Sequence, residues 1–211
     1  MTGAPVLCQY RYSVYSWIAR LALAEKGIVF ETVEINPFDP GDGQAAANPH
    51  PFNRVPVLLH QGHTIIETNA ICRYIDDAFE GPPLQPDLPT DRASMNQIIS
   101  VLDAYGYWPL IRQVYSNDVF CPRFGETSDP AETATGLEAA EPVLDTLEKL
   151  LSNGHFTVTG HLTLADIYLA PMLSFFNESV AGAALLKRRP KLSTWYAHIR
   201  QRNSFLNTLP E

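Results

Sequence analysis

The spacing of apolar and polar residues alternates between strand and helix periods through the first 80 residues of this chain and stays helical beyond them. Pro5 to Tyr10 is a short apolar run of strand character. After the polar turn Arg11-Tyr12-Ser13, the segment WIARLALAEKG places Trp17, Leu21 and Ala24 at helical spacing before Gly27, a natural helix stop. The next segment, IVFETVEI, is rich in β-branched residues and alternates through its second half. These residues predict β-α-β, and a crossover of that length implies a parallel pair.

A polar, Gly-rich loop from Pro37 to Pro51 leads to VPVLLH and TIIE, two strand-like pieces on either side of Gln61-Gly62, a hairpin signal. A helix is predicted from Thr68. In TNAICRYIDDAF, residues Ala70, Ile71, Tyr74, Ile75, Ala78 and Phe79 form one apolar stripe. Pro82, Pro83, Pro86 and Pro89 then crowd GPPLQPDLPTD, and strand signals vanish beyond it. Helical patterns follow at Asp91 to Ile111, Asp129-Pro130 to Leu151, Thr163 to Phe176 and Pro190 to Arg202. The expected architecture is α/β plus all-α, with an α/β domain at 1–80, a linker at 81–90 and a helical domain at 91–211.

Composition narrows the function classes. With 211 residues, 45% of them apolar, the chain can bury one or two cores. A formal charge of −8 gives no nucleic-acid footprint and no attraction to an anionic membrane surface. Cys8, Cys72 and Cys121 are odd in number and lack CxxC or His-paired spacing, so neither a disulfide framework nor a zinc or other metal site is expected, and a reducing cytoplasm fits. The N-terminus has no leader pattern and no apolar run approaches a membrane span, so the chain reads as mature and soluble.

Four segments carry a resemblance. NRVPVLLH followed by ETNAICRYI is similar to the "x-V-P-x-L" and "E-S-x-A-I-x-x-Y" segments of the cytosolic glutathione transferases. GHLTLADIYLAP and RPKLSTWYAHIRQRNSF resemble segments of that family's helical half, so the likeness spans essentially the whole chain. It implies a thioredoxin-like N-terminal domain, a C-terminal helical bundle, and glutathione as co-substrate. It also implies a cis bond before Pro56. A proline beginning its strand loses no ladder bond, and the N–H and C=O of Val55 are left to pair with an extended peptide.

Within that resemblance, the site residues take chemical roles. Thr68 is expected to cap the following helix, whose N-terminus suits the glutamyl carboxylate of glutathione, and Glu67 accepts its ammonium. Arg54 is matched to the glycine carboxylate. His50, His60 and His63 show no acid or nucleophile partner in sequence and read as solvated loop residues.

A thiol with a reference pKa near ~8.5 is only slightly ionised at neutral pH, and lowering that value by ~2 units takes about 2.7 kcal/mol. Similarity to serine-type members, aligned on Trp17, makes Ser13 the thiolate-stabilising residue. Ser16 and the phenols of Tyr10, Tyr12 and Tyr15 remain alternatives. No cysteine occurs in Ser13-Val14-Tyr15-Ser16, which disfavours thiol-disulfide exchange.

Tyr105, Tyr107 and Trp108, where Gly106 and Pro109 are expected to interrupt a helix, offer aromatic surface; Tyr105 and Trp108 are the candidate contacts for a small hydrophobic electrophile. Thr163-x-x-Asp166 reads as a capping box that serves folding. The expected function is transfer of glutathione to an electrophile; the alternatives are a non-catalytic binding or scaffold protein and a glutathione-dependent isomerase. A homodimer is expected, with apolar residues near Ile71-Tyr74 and Met95-Leu102 available to a core or a partner.

Overall fold

The computed structural model describes residues 3–38, 48–152 and 154–210; residues 39–47 of the expected Gly-rich loop lie outside them. Contacts divide the chain into two units, residues 1–83 with 203–211, and residues 84–202.

The first unit is built on four short strands, β1 (Val6–Gln9), β2 (Glu31–Glu34), β3 (Val57–His60) and β4 (His63–Ile66), in the order β2-β1-β3-β4. β1 and β2 pair in parallel, as the crossover length requires, and the other pairs are antiparallel. The crossover helix α1 (Val14–Glu25) ends because Gly27 takes φ +69, where a side chain would be strained. Gly27 N–H donates to Ala24 O and Ile28 N–H to Leu23 O, which closes the helix end with two main-chain bonds. Gln61 and Gly62, both at positive φ, make the two-residue turn between β3 and β4.

Helix α2 (Thr68–Ala78) corrects the expected stripe. Thr68, Ile71, Cys72 and Ile75 are buried, whereas Ala70 and Ala78 are exposed. Both rows have helical spacing, and the face that carries Cys72 wins. A buried ion pair between Lys26 and Asp76 (3.1 Å) fixes α2 against the end of α1.

The second unit is helical: α3 (Pro89–Val101), a π-helical segment Leu102–Phe120, α4 (Cys121–Arg123), α5 (Pro130–Leu150), α6 (Leu164–Glu178), α7 (Val180–Lys187) and α8 (Pro190–Ile199). Gly106 and Pro109 do not interrupt the chain here. The helix runs through them with i→i+5 bonding, a wider turn that accommodates a proline lacking an N–H. Gly106 is packed between Leu102 and Leu110, and a side chain at Gly136 would meet the Cβ of Gln113 at 2.6 Å, so α5 approaches this segment closely. Tyr115 stacks on Phe175 at 4.3 Å in the core.

One open alternative is decided and one boundary moves. Ile71, Met95 and Leu102 are fully buried within the chain, so they serve its own cores. Residues 203–211, placed by sequence in the helical domain, belong to the first unit: Trp17 Nε1 donates to Thr208 Oγ1 (3.0 Å), and Trp17 packs on Phe205 of α9 (Asn203–Leu206).

Candidate functional site

Strand register gathers the predicted residues at one end of the first unit's sheet. Cys8 of β1 pairs with Val57 of β3, and Val57 pairs with Ile66 of β4. The exit of β1 toward Ser13, the entry of β3 after Val55-Pro56, and the exit of β4 into Glu67-Thr68 therefore share that end. Val55 and Ile66 pack on the cluster of Cys8, Ile35 and Val57 beneath it.

The Val55–Pro56 bond is cis, and β3 begins at the next residue. Pro56 is thus outside the ladder, and among the described residues neither main-chain group of Val55 is hydrogen-bonded. An extended peptide laid along Val55 would find a donor and an acceptor there.

Ser13 is the N-cap of α1, and its Oγ accepts the Ser16 N–H at 3.2 Å. That bond uses an oxygen lone pair and leaves the hydroxyl proton, which has no acceptor among the described residues. Ser16 differs. It is fully buried, which takes its hydroxyl out of a ligand's reach, although its Oγ likewise accepts an N–H, that of Tyr10 at 3.3 Å. Burial pushes the thiol of Cys8, just below, up from its ordinary value and keeps it protonated.

At α2 the structure corrects the capping expectation. Glu67, not Thr68, occupies the N-cap position, with φ 68 and no side-chain cap bond; Thr68 is the first helical residue and is buried. Among the described residues the N–H groups of Thr68, Asn69 and Ala70 have no partner. A non-glycine residue at this positive φ stores strain, which is common where the backbone must face a ligand. Uncapped donors with a carboxylate beside them match the two charges of an amino-acid end.

Arg54 is exposed, with no partner for its guanidinium among the described residues. Two histidines depart from their expected solvated state. His60 is buried, with Nδ1 2.9 Å from the Tyr74 hydroxyl and its ring against Phe79. His50 is 5% exposed; its Nδ1 accepts the Phe52 N–H, which leaves the ring proton on Nε2, 3.7 Å from Glu67 Oε1. His50 thus lies beside Glu67, a placement that sequence reading missed. Its flanking residues Pro49 and Pro51, a rigid frame that a solvated loop position does not need, were the available signal. His63 is exposed as expected.

Tyr105 and Trp108 lie in the other unit, on the π-helical segment, 68% and 60% exposed. Their rings are accessible aromatic surface rather than core. Asp166, by contrast, is fully buried. Its Oδ2 accepts the N–H (2.8 Å) and hydroxyl (3.0 Å) of Thr163, and its Oδ1 accepts Thr157 N–H and Trp195 Nε1, each at 2.8 Å. Burial pushes its carboxyl up while these four donors pull it down. Among the described residues no cluster of three His, Cys, Asp or Glu side chains is gathered as a metal ion requires.

Comparison with known proteins bears on this geometry. Residues 7–83 match the model of the glutathione S-transferase N-terminal domain, and residues 130–198 that of the glutathione S-transferase C-terminal domain. Glutathione S-transferase F10 of Arabidopsis thaliana is 30% identical over 87% of this chain and 86% of its own length. Maleylacetoacetate isomerase of Rattus norvegicus is 33% identical, over 82% and 78%. The solved structure of glutathione S-transferase III in apo form superimposes with a TM-score of 0.84 at 25% identity, covering 99% of this chain and 98% of that one.

Proposed function

The chain belongs to the glutathione S-transferase family, and from that premise we propose that Ser13 activates the thiol of glutathione for attack on a small hydrophobic electrophile. The protein is a glutathione transferase with glutathione as its co-substrate. One observation carries the choice of Ser13: it is only half-buried, unlike the fully buried Ser16, and its hydroxyl proton has no acceptor among the described residues, at the sheet end that also holds Val55 and Glu67. A hydroxyl free to donate at a helix N-terminus stabilises a thiolate over a thiol.

Glutathione is read along the same edge. Val55 pairs with its main chain, Glu67 takes its ammonium, the α2 terminus at Thr68 takes the glutamyl carboxylate, and Arg54 takes the glycine carboxylate. Exposed aromatic surface supports Tyr105 and Trp108 as electrophile contacts. The physiological role in this reading is detoxification in the cytoplasm, which rests on the resemblance to the cytosolic glutathione transferases. A homodimer follows from the family resemblance alone, since the buried Ile71, Met95 and Leu102 lend it no support. Sedimentation at low micromolar concentration is expected to give about twice the chain mass; a monomer that still binds glutathione removes the dimer only.

Ser13→Ala tests the central claim. It should leave glutathione affinity nearly unchanged and raise the bound thiol's pKa, read from thiolate absorbance across pH. Unaltered ionisation would move the role to a tyrosine, to Ser16 or to the helix terminus alone. The isomerase relative favours a second reading, glutathione-dependent cis-trans isomerisation. Parallel assays with a chloronitrobenzene, a peroxide and a maleyl ketoacid separate the activities.

A further inference from the structure

Arg20 stands inside the apolar run of α1 and is only 8% exposed. Burial lowers its pKa to about 10, with Glu34 acting in the opposite direction. Its donors go to no carboxylate. Nη1 donates to Gln9 Oε1 at 2.7 Å, and Nη2 donates to the main-chain oxygens of Arg11 and Thr208, each at 3.3 Å. A buried cation without a bonded anion is costly, so what it holds in place matters.

From the β2 side, Glu34 reaches the same residues. Its Oε1 accepts the Arg11 N–H at 2.6 Å, and its Oε2 accepts Gln9 Nε2 at 3.3 Å. The Gln9 amide therefore bridges the two charges, taking from Arg20 and giving to Glu34. Arg11 is held at both main-chain groups, its N–H by Glu34 and its C=O by Arg20. Tyr10 is held likewise, since its N–H goes to Ser16 Oγ and its C=O accepts the Ser13 N–H at 2.9 Å. Every main-chain polar group of Tyr10 and Arg11 is thus fixed immediately before Ser13.

We propose that Arg20 is a positioning residue for the reaction, which together with Gln9 and Glu34 holds the Tyr10–Ser13 turn so that the Ser13 hydroxyl meets the thiol in one geometry. The proposal rests on the reading of Ser13 given above. The planar fork of arginine, which spreads its donors over three acceptors, is what the turn uses; a lysine supplies the charge without the fork. Through Thr208 the same guanidinium ties the chain's last segment to the turn, and Trp17 Nε1 adds a second bond to that residue.

The test compares Arg20→Lys and Glu34→Ala with the parent in two measurements, calorimetric glutathione affinity and thiolate absorbance across pH. Arg20→Lys keeps the buried cation, and Glu34 is partly exposed, so both variants are chosen to fold. Expected are a rise of about one unit in the bound thiol's pKa and a fall of roughly tenfold or more in kcat/KM, with affinity held within about threefold. Asp76→Asn is the control, because it weakens another buried ion pair of this unit that does not touch the turn. It should lower the thermal midpoint and leave the thiol pKa alone.

An unaltered thiol pKa in both Arg20→Lys and Glu34→Ala overturns the proposal. So does an equal shift in Asp76→Asn, which would mean that ionisation merely follows stability. Ser13→Ala in the same titration separates the two claims. If it is silent, the serine assignment fails by itself; if it shifts the pKa while the Arg20 and Glu34 variants do not, only the positioning role fails.

Discussion

Helices α2 and α6 each start on an acidic residue and a threonine close in sequence, Glu67 with Thr68 and Thr163 with Asp166, and the structure uses the two pairs in opposite ways. At α6 the carboxylate of Asp166 turns inward, accepts four hydrogen bonds and is fully buried. At α2 the Glu67 side chain is 69% exposed, caps nothing, and leaves the first N–H groups of the helix without partners among the described residues. A saturated terminus stabilises the fold, and an open one keeps its field for a ligand. The α8 terminus is a third case, in which Glu148 of α5 accepts the N–H groups of Lys191 and Leu192, both at 2.9 Å.

The largest expected effect is at the saturated terminus. Asp166→Ala strands buried donors on Thr157, Thr163 and Trp195 and should lower unfolding stability by about 3 to 5 kcal/mol, read by denaturant titration. A loss under 1 kcal/mol would erase the contrast with α2. Next, Glu67→Ala should weaken glutathione binding by roughly 1 to 3 kcal/mol in calorimetry while changing stability by less than about 0.5 kcal/mol. If stability falls and affinity does not, Glu67 is a structural cap after all.

Glu148→Ala sharpens the comparison by removing a borrowed cap; about 1 kcal/mol of stability should be lost, with glutathione affinity unchanged. Glu67→Gly probes strain at the open end: relief at φ 68, offset by the flexibility of glycine, should leave stability equal to the parent or up to about 1 kcal/mol higher while affinity still falls.

The smallest effect lies in acid. Hydrogen bonds from Arg189, ahead of those from Arg188, hold Glu141 below its ordinary carboxylate value of 4.5. A depressed carboxylate contributes stability above that value and loses it as pH falls through the folded one. Glu141→Gln should therefore flatten the decline in stability below about pH 4.5 and change little at neutral pH. An unchanged acid profile would show that this exposed carboxylate contributes nothing.

Local chemistry explains what could be read in advance. The β-α-β order, the Gln61-Gly62 hairpin, the helix stop at Gly27 and the Thr163–Asp166 box each depend on residues a few positions apart, so spacing and residue type suffice. Ser13, Val55, Glu67 and Thr68 were singled out through ordered motifs as the proposed site, although which of Glu67 and Thr68 caps α2 turned on a single backbone angle that no motif encodes.

Distance along the chain accounts for the rest. The face of α2 that is buried, the continuation of the helix through Pro109 and the burial of His50 and His60 depend on neighbours supplied by other elements. The clearest case is Arg20. By sequence alone it is a lone charge in an apolar helix; its partners lie 11, 9 and 188 residues away, at Gln9, Arg11 and Thr208. Sequence by itself determined the strand and helix order of the first unit and the helical character of the second, though not the short helices α4, α7 and α9, and it nominated the side chains proposed to hold an amino-acid end and to donate to a thiolate. Only the tertiary structure decided that residues 203–211 return to the first unit and that the serine turn is held from both sides, because a buried hydrogen bond is set by where the folded chain brings its donor and acceptor, and not by how far apart they are in sequence.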